Sequence, residues 1–390
     1  MNSKWTEYEL GELLPYEQPT PYIVKSTDYN DAYKTPVLTA GKSFILGYTN
    51  ESEGVFDKLP VIIFDDFTTA TQYVNFKFKV KSSAMKILHI NSELVTPKYI
   101  FYRMQTIQFD HSTHKRYWIQ QYSKIKIPVP PLPEQERIVA RIEELFSELD
   151  KAVETLKNTK QQLAVYRQAV LKEAFSGHFT NNRSILLHNL GEYIDTPRYG
   201  TSKKCNYVKT KTAKAVIRIP NIDSKKGIID YGDLKFAEFN ESELDPLSLQ
   251  EGDILIIRSN GSTSIVGTAA IIRACDTNNI FAGYLMRLRI KDKSTLLPKY
   301  LLLYLSSLDA RLYIEQTAKS TSGVNNINAQ EVAKLPIPVV DIEKQQRIIT
   351  EIESHLSVCD QIETTIEQSL QQAEAMQQSI LKQAFEGKLI

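Results

Sequence analysis

Four short stretches of this 390-residue chain hold residue types that could do chemistry. Ala40-Gly41-Lys42-Ser43 has the ending of a phosphate-cradling loop, but the leading glycine of that motif falls at Pro36, so a turn is expected. His111 and His114, in FDHSTHKRYW, have metal-ligand spacing without a third ligand, and a polar loop is expected there. Asp65 and Asp66 follow the apolar run Ile62–Phe64; no lysine-bearing motif accompanies them, and they are expected to cap a turn. His355 and Cys359 stand one helical turn apart, on positions that also belong to a packing seam, and packing is the expectation. No Asn/Asp-Pro-Pro-aromatic motif and no glycine-rich cofactor loop occurs. The chain reads as non-catalytic, with no catalytic residue, cofactor site or metal site of its own.

What remains is a set of polar, basic and aromatic loops, composed of residue types that reach base edges and phosphates and that are also common on any protein surface. The candidate DNA contacts in the first part of the chain are Thr69, Thr71, Lys115, Arg116 and Tyr117. In the second part they are Lys203, Lys204, Arg258, Asn260, Ser262, Lys319, Asn325 and Asn326.

Composition sets the class: 42% hydrophobic and 24% charged residues describe an ordinary globular chain, long enough for two or three domains. The N-terminus lacks an apolar core of signal-peptide length. YLLLYL at 300–305 is far shorter than a spanning helix. Cys205, Cys275 and Cys359 are far apart, as befits a reducing cytoplasm. The net charge of +1 divides unevenly. Residues 1–126 carry 15 basic against 13 acidic residues and 181–336 carry 21 against 16, whereas 127–180 carry 7 against 8 and 337–390 carry 4 against 9. Two mildly basic segments thus alternate with two acidic ones, which permits nucleic-acid binding without establishing it.

The acidic segments are copies of each other. VLKEAFSGHFT at 170–180 returns as ILKQAFEGKLI at 380–390, and a gapless shift of 210 places 127–180 on 337–390 with 19 identities in 54 positions. Each copy opens with an extended Ile-Pro-Val and continues as a run free of Pro and Gly, Glu134–Phe175 and Glu343–Phe385. Gly177 and Gly387 follow, where a helix end needs a left-handed residue. About 42 residues make a helix of roughly 63 Å. A heptad seam runs through Ile138, Ile142, Leu145, Leu149, Ala152, Leu156, Thr159, Leu163, Tyr166 and Val170. Its counterpart is Ile348, Ile352, His355, Cys359, Ile362, Ile366, Ser369, Ala373, Met376 and Ile380. Two related halves about a two-fold axis predict that the helices pair antiparallel. Ile390 should then lie near Met1–Trp5, closing a circular arrangement.

The basic segments open alike, on the shared Leu-Gly-Glu of 10–12 and 190–192, and both start a helix with Pro-Lys-Tyr, at 97 and 298. Strands are expected at LPVIIFDDF, YVNFKFKV and YLMRLRI. A hairpin is expected from Ile254–Ile257 through a Ser-Asn-Gly-Ser turn to Ile265–Ile272, and one helix over 298–316. The expected class is α+β: two mixed domains (1–126 and 181–336) separated by two long antiparallel coiled-coil helices (127–180 and 337–390).

The whole chain resembles the specificity subunit of type I restriction-modification enzymes. The resemblance rests on IPVPPLPEQERIVARIEELF, KLPIPVVDIEKQQRII, LKEAFSGHF with LKQAFEGKL, the twin Leu-Gly-Glu openings, GDILIIRSNGS and FDDFTTATQYVNFKFKVKSSAMKIL. The second copy departs at Asp341-Ile342-Glu343-Lys344-Gln345, which puts its local turn in question. The resemblance implies two target-recognition domains, each reading half of a bipartite, gapped, asymmetric double-stranded DNA sequence. The helices would set the gap and dock two methyltransferase subunits, with motor-nuclease subunits completing the assembly. Those partners would use S-adenosylmethionine, ATP and Mg; this chain would bind none of them and would be cytoplasmic, not membrane-bound. A specificity subunit for a combined methyltransferase-nuclease, or a coiled-coil protein-binding scaffold, would share much of this pattern.

Overall fold

A computed structural model of the chain describes residues 5–41, 43–109, 116–177, 186–321 and 323–389, with the backbone alone at 319–321. It resolves into two compact units, 1–157 with 367–390, and 158–366. The two long helices span Leu132–Phe175 and Ile342–Phe385, 44 residues each, and each contributes its start to one unit and its end to the other. The first begins two residues earlier than expected, because Pro133 falls in the first turn, where its missing N–H costs nothing. Gly177 and Gly387 end the helices with φ of 89° and 71°.

In the first unit, Ile138, Val139 and Ile142 from the start of one helix share a core with Ile380, Leu381, Ala384 and Phe385 from the end of the other. In the second unit, Val170, Leu171, Ala174 and Phe175 share a core with Ile348, Ile349 and Ile352. The helices are therefore antiparallel.

The inner stripe departs from the strict heptad. Ile138, Ile142, Leu145, Leu149, Leu156, Leu163, Ile348, Ile352, Ile366 and Ile380 all face inward to some degree. Ala152 and Tyr166 do not, and their counterparts Ile362 and Met376 are 39% and 54% exposed. Their places are taken one residue on, by Val153, Arg167, Glu363 and Gln377. Two successive four-residue steps, 145–149–153 and 355–359–363, break the heptad in the same place in both copies. A 3.6-residue helix drifts about 20° per heptad, and such a step corrects the drift. The charged inner positions hid this stripe. Glu363 faces Lys160 at 3.6 Å and Arg167 at 3.3 Å, so the seam is ionic where an apolar residue was expected. Cys359 is buried, and His355 shares a hydrogen bond with the Tyr166 hydroxyl.

Each unit has the same two sheets. In the first, an antiparallel sheet runs Tyr16–Glu17, Met85–His89, Val61–Asp65, Thr71–Val74. In the second, the order is Arg198–Tyr199, Leu285–Leu288, Ile254–Ile257, Ala269–Ile271. Val61–Phe64 of the first unit's central strand is wholly apolar because alternate residues serve two cores: Ile62 and Phe64 pack on one side, Val61 and Ile63 on the other. Ile254 and Ile256, against Leu255 and Ile257, repeat the arrangement. The other sheet pairs Thr35–Leu38 antiparallel with Ile45–Thr49 and parallel with Lys79–Val80. Its counterpart is Lys214–Ile217 with Lys235–Ala237 and Ile280–Phe281.

Three expectations need correction. YVNFKFKV is not one strand but the end of Thr71–Val74 and a separate Lys79–Val80, in different sheets. Residues 298–316 form two helices, Pro298–Leu305 and Leu308–Thr317, because the Ser307 hydroxyl caps a new start by accepting the Ala310 amide. The expected Ser-Asn-Gly-Ser turn begins with a strand of its own, Ser259–Asn260. Among the described residues no helix is long and apolar enough to cross a membrane.

Candidate nucleic-acid interface

The frame that carries the candidate residues is duplicated in detail. Gln135 and Gln345 are both fully buried at the helix starts. The Gln135 Nε2 donates to the carbonyls of Leu94 and Pro130, and its Oε1 accepts the Thr96 amide, each at 2.8 Å. Gln345 donates to Thr295 and Val340 and accepts from Leu297 in the same way. The divergent Asp341 turn thus keeps its geometry, with Asp341 capping the Lys344 amide. Both Leu-Gly-Glu openings are capping boxes. Their glycines sit against equivalent backbone: a Cβ on Gly11 would come 3.3 Å from the Ser123 carbonyl oxygen, and one on Gly191 3.2 Å from that of Ala333.

On this frame the second unit brings together six of its eight candidates. Ser259–Asn260 pairs with Val324–Asn326, which pairs with Lys319–Thr321, making a small antiparallel sheet at the end of the central strand. Arg258, Asn260, Ser262, Lys319, Asn325 and Asn326 all belong to this sheet or its edges. The Arg258 guanidinium lies 4.5 Å from the Tyr199 ring centroid and donates to the Gly283 carbonyl at 3.2 Å. Tyr199 is itself held by its hydroxyl, which accepts the Ala329 amide at 2.9 Å. Lys203 and Lys204 lie apart from this group. Lys203 is engaged with Glu243 at 2.7 Å and with the Glu238 carbonyl, and its ammonium holds the Glu243 carboxyl below its ordinary pKa. Lys204 is exposed.

The first unit answers differently at the same place. The Tyr117 amide donates to the Asp66 carbonyl as the Ile327 amide donates to that of Arg258, so Asp66 occupies the position of Arg258. Asp66 is buried, 3.2 Å from the equally buried Lys86, and accepts the Trp118 amide at 2.8 Å. It is therefore a structural ion pair and not a turn cap. Asp65 does cap the turn, accepting the amides of Phe67 and Thr68. Thr69 completes that turn with a φ of 56°, and Thr71 accepts a hydrogen bond from Gln105. Tyr117 is not available as a surface contact: it is 1% exposed, packed edge-on to Phe109 at 4.9 Å. Arg116 is exposed. Lys115, His111, His114 and Lys42 lie outside the described residues; Thr39 closes the turn beside Gly41 and Ser43.

Met1–Lys4 and Ile390 lie outside the described residues, but Trp5 and Lys388 line one cavity of about 880 Å³ in the first unit, with Arg103, Lys126, Lys382 and Phe385. Among the described residues no three His, Cys, Asp or Glu side chains gather as a metal site.

Donors and acceptors on a small β-sheet suit recognition of hydrogen-bonding edges, and a two-stranded β-ribbon fits the major groove of DNA. Tyr199, Ser259, Lys86 and the two glutamines escaped the sequence reading. Only the glutamines left a signal: they are identical between copies otherwise divergent around them.

The family described as type I restriction modification DNA specificity domain matches residues 2–163 and 187–372. The type I restriction enzyme EcoR124I/EcoR124II specificity subunit of Escherichia coli is 34% identical over 353 residues, 87% of this chain and 84% of that protein. The EcoKI specificity subunit of Escherichia coli (strain K12) is 29% identical over 277 residues, 69% of this chain and 58% of that protein. Among solved structures, a chain from work on the assembly and conformational transition of the type I R-M system superposes with a TM-score of 0.72, at 18% identity over 100% of this chain and 99% of that one. The HsdS subunit from Thermoanaerobacter tengcongensis gives 0.54, also at 18% identity, over 100% and 98%. At that identity these two matches establish the fold.

Proposed function

This chain belongs to the type I restriction-modification specificity-subunit family, and we propose that its two β-rich domains each read one half of a bipartite, gapped, asymmetric double-stranded DNA target. It is the non-catalytic recognition member of such a system. The long helices set the gap and dock two methyltransferase subunits, and motor-nuclease subunits complete the restriction enzyme. S-adenosylmethionine, ATP and Mg belong to those partners. Lys and Arg contacts to phosphate would give salt-dependent affinity, and the polar side chains on the small sheet would give sequence.

The observation that carries this reading is one frame with two different faces. Gln135 and Gln345 make the same bonds, while the strand ends above them present Asp66 with Lys86 in one unit and Arg258 with Tyr199 in the other. Two unlike readers on like supports suit a target whose halves differ. Mapping methylated adenines in a genome carrying the complete system tests it. The expected result is one bipartite sequence with a fixed unspecified gap. Inserting seven residues into both long helices should lengthen that gap and leave both half-sites unchanged; altered half-sites would count against the spacer role.

A further inference from the structure

The small sheet of the second unit holds two asparagines whose amides are pinned in opposite senses. Asn260 and Asn325 are direct cross-strand partners. Such partners share a face, with Cβ atoms about 5 Å apart. Ser259, the preceding residue, is buried, so this face points away from the core. The Asn260 Oδ1 accepts the Ser262 amide at 2.9 Å. A backbone N–H can only donate, so the oxygen must be the bonded atom and Nδ2 is left as the outward group. Asn325 is reversed. Its Nδ2 donates to the Gly261 carbonyl at 3.0 Å and to the Asn260 carbonyl at 3.5 Å. A carbonyl can only accept, so the nitrogen is the bonded atom and Oδ1, an acceptor, is left as the outward group.

A donor and an acceptor thus stand side by side on this small sheet. Neither amide can rotate to exchange the roles without breaking a bond to the main chain. We infer that Asn260 and Asn325 form a split reader for a base edge with an acceptor beside an amino group in the major groove. Three edges have that pattern: adenine N7 with N6, adenine N6 with thymine O4 of the same pair, and guanine O6 with cytosine N4 of the same pair. Thymine O4 and guanine N7 alone do not supply the amino group that Asn325 requires. This inference rests on the proposed DNA-reading role and assigns the residues of the second domain that specify one base pair.

The test uses the complex of this chain with its methyltransferase partners, and DNA carrying every single base-pair substitution in the second half-site. Asn325→Ala and Asn260→Asp should each flatten discrimination at the same one position, by roughly tenfold to a hundredfold. An A·T preference there identifies one of the two adenine edges, and a G·C preference the O6/N4 edge. Removing the amino group, with purine for adenine or 2-pyrimidinone for cytosine, should weaken wild-type binding and add nothing to the loss in Asn325→Ala. The first half-site, read in the same assays, reports whether the variants fold. Wild-type discrimination in both variants would overturn the inference, as would loss of discrimination across both half-sites, which would mark a structural role. Absence of any bipartite target for the wild-type complex would instead bring down the DNA-reading role itself.

Discussion

Asp66 and Arg258 occupy one position on two copies of a frame and do opposite things. Asp66 is turned inward, sealed against Lys86 and the Trp118 amide. The Arg258 guanidinium sits over the half-exposed ring of Tyr199. The supports beneath them are alike down to individual hydrogen bonds. The lesson is that this position differs in what the frame displays, whereas the glutamine bonds that fix the backbone beneath it are the same in both units.

The comparison can be broken most violently at Lys86. Lys86→Met leaves Asp66 buried without its cation and should cost about 3–5 kcal/mol, read as a lowered unfolding midpoint. Arg258→Met, at the position equivalent to Asp66, should cost about 1 kcal/mol or less, because only a ring contact and one hydrogen bond are lost. Equal losses would mean that the two positions are not used differently. The frame should respond symmetrically: Gln135→Ala and Gln345→Ala each orphan three main-chain groups and should each cost about 1–3 kcal/mol in calorimetry. A clear inequality would show that one unit leans on its glutamine more than the other.

The smallest expected effect is one of pH, and it has no counterpart in the first unit, where Val153 stands at the place of Glu363. A hydrogen bond from Lys225, with Lys160 and Arg167 nearby, holds the Glu363 carboxyl below its ordinary pKa, against the raising effect of burial. A depressed folded-state value adds stability that is fully present above the unfolded value of about 4.3 and is lost as pH falls through the folded one. Glu363→Gln should therefore narrow the stability difference between pH 7 and pH 3, measured by denaturant titration; an unchanged difference would show the cluster to be energetically idle.

The duplication, the helix ends, the antiparallel pairing and the Pro-Lys-Tyr helices were legible because each rests on local rules: Pro and Gly placement, and an apolar period. The seam was half legible. Up to Leu149 and Cys359 the apolar pattern and the inner face coincide, but beyond them the inner face passes to Val153, Arg167 and Glu363, and a rule that follows greasy residues follows Ile362 and Met376 outward instead. Of the candidate contacts, those on 258–262 and 319–326 converge because a long-range strand pairing unites them, which no local pattern announces. Tyr117 misled because its aromatic-basic neighbourhood resembles a binding loop, while its ring is needed beside Phe109. Asp66 misled because its partner, Lys86, is supplied by the adjacent strand.

The ionic stretch of the seam has a consequence for alignment. An all-apolar pair of helices can slide by one heptad and bury nearly the same surface, since Leu and Ile meet Leu and Ile again. Glu363 engages Lys160 and Arg167, themselves seven residues apart, together with Lys225 from the domain. A slip of seven residues in either direction keeps only one of the two helix cations in reach and draws Glu363 away from Lys225. A polar residue inside a seam specifies register at some cost in stability. The carboxylate therefore acts as the zero mark of a scale: it fixes where one helix begins to be counted against the other.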